Sequence, residues 1–201
     1  MNKILVWDWP VRLGHWLMVG GFAIAWLTAE SESLALVHAL AGGTVVAVAA
    51  FRVLWGLFGS RYARFADFVR GPRAVMTYIG SLADARPEHH VGHNPAGGWA
   101  IVALLGLALA VGASGLLNYN DIGGDTLKEL HEGLAATMLT VVAVHVAGVL
   151  VSSFLHRENL VRAMLTGRKE GEAGQSIAST HALVAAFLLA WVAVAGWVIV
   201  S

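Results

Sequence analysis

The stretch HEGLAATMLTVVAVHVAGVLVSS, residues 131–153, decides how the rest of the chain is read. It is long and apolar enough to be most of one membrane-spanning helix, which takes about 20 such residues. Two histidines punctuate it, His131 and His145, fourteen residues apart. That spacing is close to four helical turns, so both rings leave the same face, about 21 Å apart along the axis. An imidazole inside a membrane helix is costly and marks function. Two of them at different depths suggest two metal or cofactor sites in series.

The composition agrees with a membrane setting. Of the 201 residues, 57% are hydrophobic and 13% charged, where a soluble domain carries roughly 25% charged residues. With no cysteine, the chain has no disulfide, no covalently attached c-type haem, no cysteine-held iron–sulfur cluster and no thiolate zinc site. The net charge of zero gives no reason to expect a nucleic-acid partner. The unusual inventory is nine histidines, eight tryptophans and 23 glycines.

Working outward from residues 131–153, five spans are predicted. They run over residues 13–29, 34–58, 97–117, 130–155 and 182–200. Tryptophans 16, 26, 55, 99 and 197 sit near their ends, as interfacial belts do. Asp8 and Pro10 suit a leader sequence poorly, so the first segment reads as a span and not as a cleaved signal. If the N-terminus is cytoplasmic, every basic residue except Lys128 falls inside, and the C-terminus after five spans lies outside. The outer loops are acidic, with Glu30 and Glu32 in one and Asp121, Asp125, Glu129 and Glu132 in the other. Two inner segments, one after Pro72 and one from Leu160 to Gly167, carry helical apolar spacing and read as interfacial helices on the bilayer surface.

Orientation turns the histidines into a problem of depth. The first span enters from inside, so His15 is inner. The second returns from outside, so His38 is outer. The fourth starts outside, which puts His131 outer and His145 inner. Two pairs follow, His15 with His145 and His38 with His131. A haem takes axial ligands from opposite faces, and neutral imidazole is a common one. Each depth therefore holds the ligands of one haem. Gly14, Gly42, Gly43, Gly133 and Gly148 lie close to these histidines. They either admit a planar ring or let helices pack. Met18 and Met138 are alternative axial ligands or, more simply, packing residues. Arg52, His93 and His156 fall near the inner surface, as candidates for haem propionates or a quinone pocket. Arg52 reads equally well as a snorkelling cation. His89, His90 and His93 form a loop cluster without a placed carboxylate or thiolate partner, a weak metal site.

The motifs RLGHWLM (12–18), VHALAGGTVV (37–46), FRVLWGLFGSRYARF (51–65), FVRGP (68–72), GHNPAGG (92–98), residues 131–153 and HRENLVRAMLTGRK (156–169) occur in order. Together they resemble the bacterial di-haem cytochrome b561 family, nearest to the b-type cytochrome subunits of nickel–iron hydrogenases. The resemblance implies an all-α integral membrane protein with a four-helix haem-binding transmembrane bundle, here over residues 1–169, to which this sequence adds, over residues 170–201, a linker and a fifth C-terminal transmembrane helix. It implies two haem b groups held by His15, His38, His131 and His145. It also implies a respiratory-chain role in a bacterial inner membrane, between the quinone pool, with a quinone bound, and an outer redox partner such as a c-type cytochrome or a hydrogenase. The fifth helix and the short outer loops depart from the family pattern.

Other readings remain at this level. One is an oxidoreductase acting directly on a small outer reductant of the superoxide type with quinone as acceptor, although an acidic outer face opposes an anionic substrate. Another is a haem-free proton channel, weakened by the lack of carboxylates in the span centres. A third is a membrane anchor, with helix five a packing surface for lipid, a partner or a second copy of the chain in a homo-oligomer.

Overall fold

The computed structural model describes residues 2–84, 86 and 88–201. The chain opens with a short strand, β1 (Asn2–Leu5), followed by α1 (Trp9–Thr28) and α2 (Ala35–Phe58). A single turn, α3 (Phe65–Phe68), and a surface helix, α4 (Pro72–Ala83), lead to α5 (Pro95–Tyr119) and α6 (Gly124–Leu155). Then come α7 (Leu160–Thr166), β2 (Arg168–Gly171) and α8 (Ala182–Val200).

Among the described residues, four stretches are long and apolar enough to cross a membrane: Glu32–Phe58, Pro95–Tyr119, Gly124–Leu155 and Ala182–Val200. α1 is outside that set. It is still 20 residues long and packs along α2, giving a length of about 30 Å. The architecture is therefore an all-helical membrane bundle with a fifth, C-terminal apolar helix. α6 is longer than predicted, at 32 residues. Its first turns hold Asp125, Lys128, Glu129 and Glu132, all exposed, and project past the apolar layer.

Local chemistry sets the helix starts. Asp8 caps α1, its Oδ1 accepting from the Val11 amide at 2.9 Å, with Pro10 in the first turn. Asn94 does the same for α5 at the Gly97 amide, 2.7 Å, with Pro95 following. Gly167 ends α7 in the left-handed region at φ 78°, where a side chain is strained. Both segments expected to be short helices are helical, as α4 and α7. α4 exposes Met76 and Ile79 while burying Tyr78, whose hydroxyl lies 3.3 Å from Ser152 Oγ on α6.

The apolar interior has three parts. Val45, Ala49, Leu105, Ala108 and Met138 form the bundle core between α2, α5 and α6, with Met18 of α1 against it. Both methionines are packing residues here. Val48, Phe51 and Leu188 form a second core where α8 lies in the groove of α1 and α2, and Trp191 Nε1 donates to the Ala47 carbonyl at 2.9 Å. α8 thus packs on its own chain through one face. Its other face, with Leu183, Phe187, Val194 and Trp197, is exposed as a lipid-facing surface would be. The third core closes the end of the bundle where the N-terminal strand lies: Ile4, Val6, Trp7 and Val11 pack on Ala63 and Ala163.

One feature was not anticipated. β1 pairs antiparallel with β2 in the register Asn2 opposite Gly171 to Leu5 opposite Arg168. Strands this short carry no readable alternation, and the partners lie at opposite ends of the chain. The Gly167 carbonyl extends the clasp by accepting from the Val6 and Trp7 amides at 2.8 and 3.0 Å. β2 runs through the expected 169/170 boundary.

Candidate functional site

α6 packs along α5 and, among the described residues, makes no comparable contact with α1 or α2. The helix carrying His131 and His145 is thus held at one side, leaving room opposite the helices carrying His15 and His38. Gly14 and Gly43 are used for packing, against Val48 and Leu188 and against Ile199. A Cβ placed on Gly42, Gly133 or Gly148 would meet nothing within 4 Å among the described residues. Gly133 and Gly148 are on the exposed surface of α6, so of the three only the half-buried Gly42 is placed to admit a planar group inside the bundle.

The outer pair is brought together. The His38 and His131 ring centres are 6.2 Å apart, with the planes at 74°. One metal bond of about 2.0 Å on each side plus the half-width of each ring gives roughly the same separation. Both rings are fixed from behind. His38 Nδ1 is 2.8 Å from the Ala25 carbonyl, and His131 Nδ1 is 3.0 Å from the Val111 carbonyl and 3.1 Å from Ser114 Oγ. A carbonyl can only accept, so each Nδ1 carries the proton and each Nε2 keeps its lone pair. Gly115 permits this on the α5 side, since a Cβ there would come within 2.9 Å of the His131 ring.

The inner pair is looser. His15 lies edge-on to Trp16, with its Nδ1 buried and without a hydrogen-bond partner among the described residues. His145, on α6, is half-buried. Arg52 is 7% exposed, and both its terminal nitrogens are buried without partners among the described residues. Its guanidinium lies over Phe65 and Phe68, 5.4 and 5.9 Å from the ring centres. Aromatic faces offset only part of the cost of burying an unpaired cation. Arg52 therefore suits an anionic group.

His93 is wedged between Trp7 at 4.5 Å and Phe68 at 4.7 Å, its Nδ1 buried and unpartnered among the described residues. Burial pushes its pKa down to about 3, and Arg52, Lys169, His145 and His15 push the same way. The ring is therefore neutral at physiological pH. Between about pH 3 and 6.5 the unfolded chain binds a proton that the folded chain does not, so stability falls as pH drops through that window. We expect the thermal midpoint of the purified protein to be lower at pH 5 than at pH 7. His93→Gln should flatten that dependence, and an unchanged slope in the variant would count against this assignment.

His156 is differently engaged. Its Nδ1 is 2.8 Å from the Ser152 carbonyl and its Nε2 is 3.1 Å from the Glu88 carbonyl, so both nitrogens face backbone acceptors. It joins the end of α6 to the loop before α5. His89 and His90 stay at the surface cleft beside Arg61 and Arg70. Among the described residues, no group of three or more histidine, cysteine or acidic side chains is placed to hold a free metal ion.

Two site-building residues escaped the sequence reading. Asp8 is fully buried, and its Oδ2 accepts from Trp55 Nε1 at 3.0 Å and Ser60 Oγ at 2.5 Å. The run Asp8-Trp9-Pro10 ahead of an apolar segment is a helix-start signal that marks it. Lys169 is 5% exposed and paired with Glu158, and no local pattern marks it.

A multi-pass apolar bundle with imidazoles paired across its interior is a haem-binding membrane protein by class. A family model described as prokaryotic cytochrome b561 matches residues 6–167, and the chain belongs to that family. No curated protein and no solved structure matches it. Membership makes this a multi-pass bacterial membrane protein that binds haem b and works in membrane electron transfer.

Proposed function

We propose that the chain holds two b haems, one between His38 and His131 and one between His15 and His145. They would link a membrane quinone on the cytoplasmic side to a redox partner on the outer side, such as a c-type cytochrome or a hydrogenase. The observation that carries this is the outer pair: two rings 6.2 Å apart, each with its Nδ1 facing a backbone carbonyl and its Nε2 free. Bound haem b supplies one-electron redox chemistry.

The protein's own residues do the rest. Ala25, Val111 and Ser114 orient the outer ligands. Arg52, with its two unpartnered nitrogens, suits a propionate or a quinone oxygen at the inner site. His93 offers a neutral imidazole there. His156 acts through the loop, since its nitrogens are taken.

The charge asymmetry supports a cytoplasmic N-terminus and an outer C-terminus in the bacterial inner membrane. On the outer side Glu30, Glu32, Asp121, Asp125 and Glu129 are exposed. Lys128 is 4.0 Å from Glu132 and leaves that face acidic. Such a surface steers a basic partner and should do so less well in high salt.

The test is haem quantitation and reduced-minus-oxidised spectra of the purified protein, then reduction by a quinol analogue in proteoliposomes. The expected result is two b haems per chain, both reducible by quinol. One haem per chain with all four histidines intact overturns the proposal.

A further inference from the structure

The matched family span ends at residue 167, and β2 begins at the next residue. β1 and β2 both lie outside that span, and what they bring to the inner site is specific. Burial alternates along β2 so that Lys169 points inward and Arg168 and Glu170 outward. A lysine is almost never this buried unless paired. Its Nζ lies 3.1 Å from Glu158 Oε2 and donates to the His90 carbonyl at 3.2 Å.

His90 belongs to the 88–93 loop, which His156 holds at the Glu88 carbonyl. The Lys169 ammonium thus holds that loop at the His90 carbonyl, while His156 Nε2 approaches it at the Glu88 carbonyl. Three residues on from His90, His93 is gripped by Phe68 and by Trp7, which follows β1. The strand pair therefore supplies both the cation that holds the loop and, just past it, one wall of the slot that receives His93. His93 and the Arg52 guanidinium pack on the same ring, Phe68, at 4.7 and 5.9 Å.

We propose that Lys169 is a positioning residue for the inner haem site: paired with Glu158, it holds the 88–93 loop so that His93 stays beside Arg52 and the His15/His145 pair. This rests on the reading that His15 and His145 hold a haem. A lysine that merely staples the fold would act on both haems alike or on neither.

The test uses the full-length, haem-loaded protein. Lys169→Met keeps the length of the stem and removes the charge and the donor, whereas Lys169→Arg keeps both. Haem content is measured first. A parent with fewer than two haems defeats the haem reading itself and not this step. With two haems retained, Lys169→Met should lower the midpoint potential of one haem only, because a positive charge leaves its surroundings. That haem should be the one lost in His145→Ala. Amide exchange over residues 88–93 should accelerate at least about tenfold while α5 and α6 stay protected. Lys169→Arg should restore both readouts towards the parent. Unmoved potentials, or equal shifts in both haems, overturn the proposal. Should Lys169→Met fail to insert, Glu158→Gln carries the test with the same two readouts, the potential of that one haem now rising because a negative charge leaves while exchange over residues 88–93 again accelerates.

Discussion

His131→Ala is expected to leave the protein folded in the membrane with one b haem in place of two, and His145→Ala to remove the other. The effect is all-or-none at each site, because an axial imidazole is a bond to the metal and nothing nearby replaces it. Met138, the neighbouring soft ligand on α6, is committed to the core with Val45 and Leu105. The pairing makes the prediction sharper. His38→Ala should remove the same haem as His131→Ala, and the double variant should be no worse than either single one. His15→Ala should match His145→Ala. His131→Ala combined with His145→Ala should leave no haem. Redox titration and low-temperature spectra identify which haem remains. If His131→Ala and His15→Ala remove the same haem, the assignment by depth is wrong. The fold should survive because α6 is held by α5 along its length, and that contact does not depend on either ring nitrogen.

The second large effect concerns stability. Asp8→Ala should cost roughly 3–5 kcal/mol, from the loss of a helix cap together with the acceptor of two further donors. The side chain caps α1 at Val11 and receives hydrogen bonds from Trp55 and Ser60 at the end of α2. Loss of the cap alone is worth about 1 kcal/mol. The Trp55 and Ser60 donors, left without an acceptor, add about 1–3 kcal/mol each, not fully additively. Asp8→Asn keeps the cap oxygen but turns an amide towards one donor, so it should fall between the parent and alanine. Thermal unfolding in detergent, followed by tryptophan fluorescence, reads this directly. An alanine variant that melts with the parent would show that the network is dispensable. A functional consequence follows, because His15 is two helical turns from Asp8. Loosening the start of α1 should weaken occupancy at the inner pair before the outer one.

The proposed ligands could be named from the sequence because membrane spans convert sequence position into depth. A histidine near the start of an inward-entering helix and one near the end of an outward-starting helix must lie at one level. The capping residues were legible in principle, since Asp8 and Asn94 act within three residues of themselves. The illegible contacts share another property. Asp8 meets Trp55 and Ser60 at separations of 47 and 52 residues, and Lys169 meets the His90 carbonyl at 79. β1 meets β2 across nearly the whole chain. No periodicity records such encounters. The five glycines beside the histidines show the same limit, because packing and cradle glycines look alike until their neighbours are known.

By itself, the order of residues determined an all-helical membrane bundle, and it is the basis on which four histidines at two levels are proposed. Hydropathy and helical rise are local properties, and a bilayer turns them into geometry. Only the tertiary structure decided which imidazole nitrogen faces the gap, that α8 closes the groove of α1 and α2, and that the strand clasp brings Lys169 to the inner end. Each of these depends on a carbonyl, a groove or a carboxylate supplied by a distant segment, so it exists only once the chain has folded.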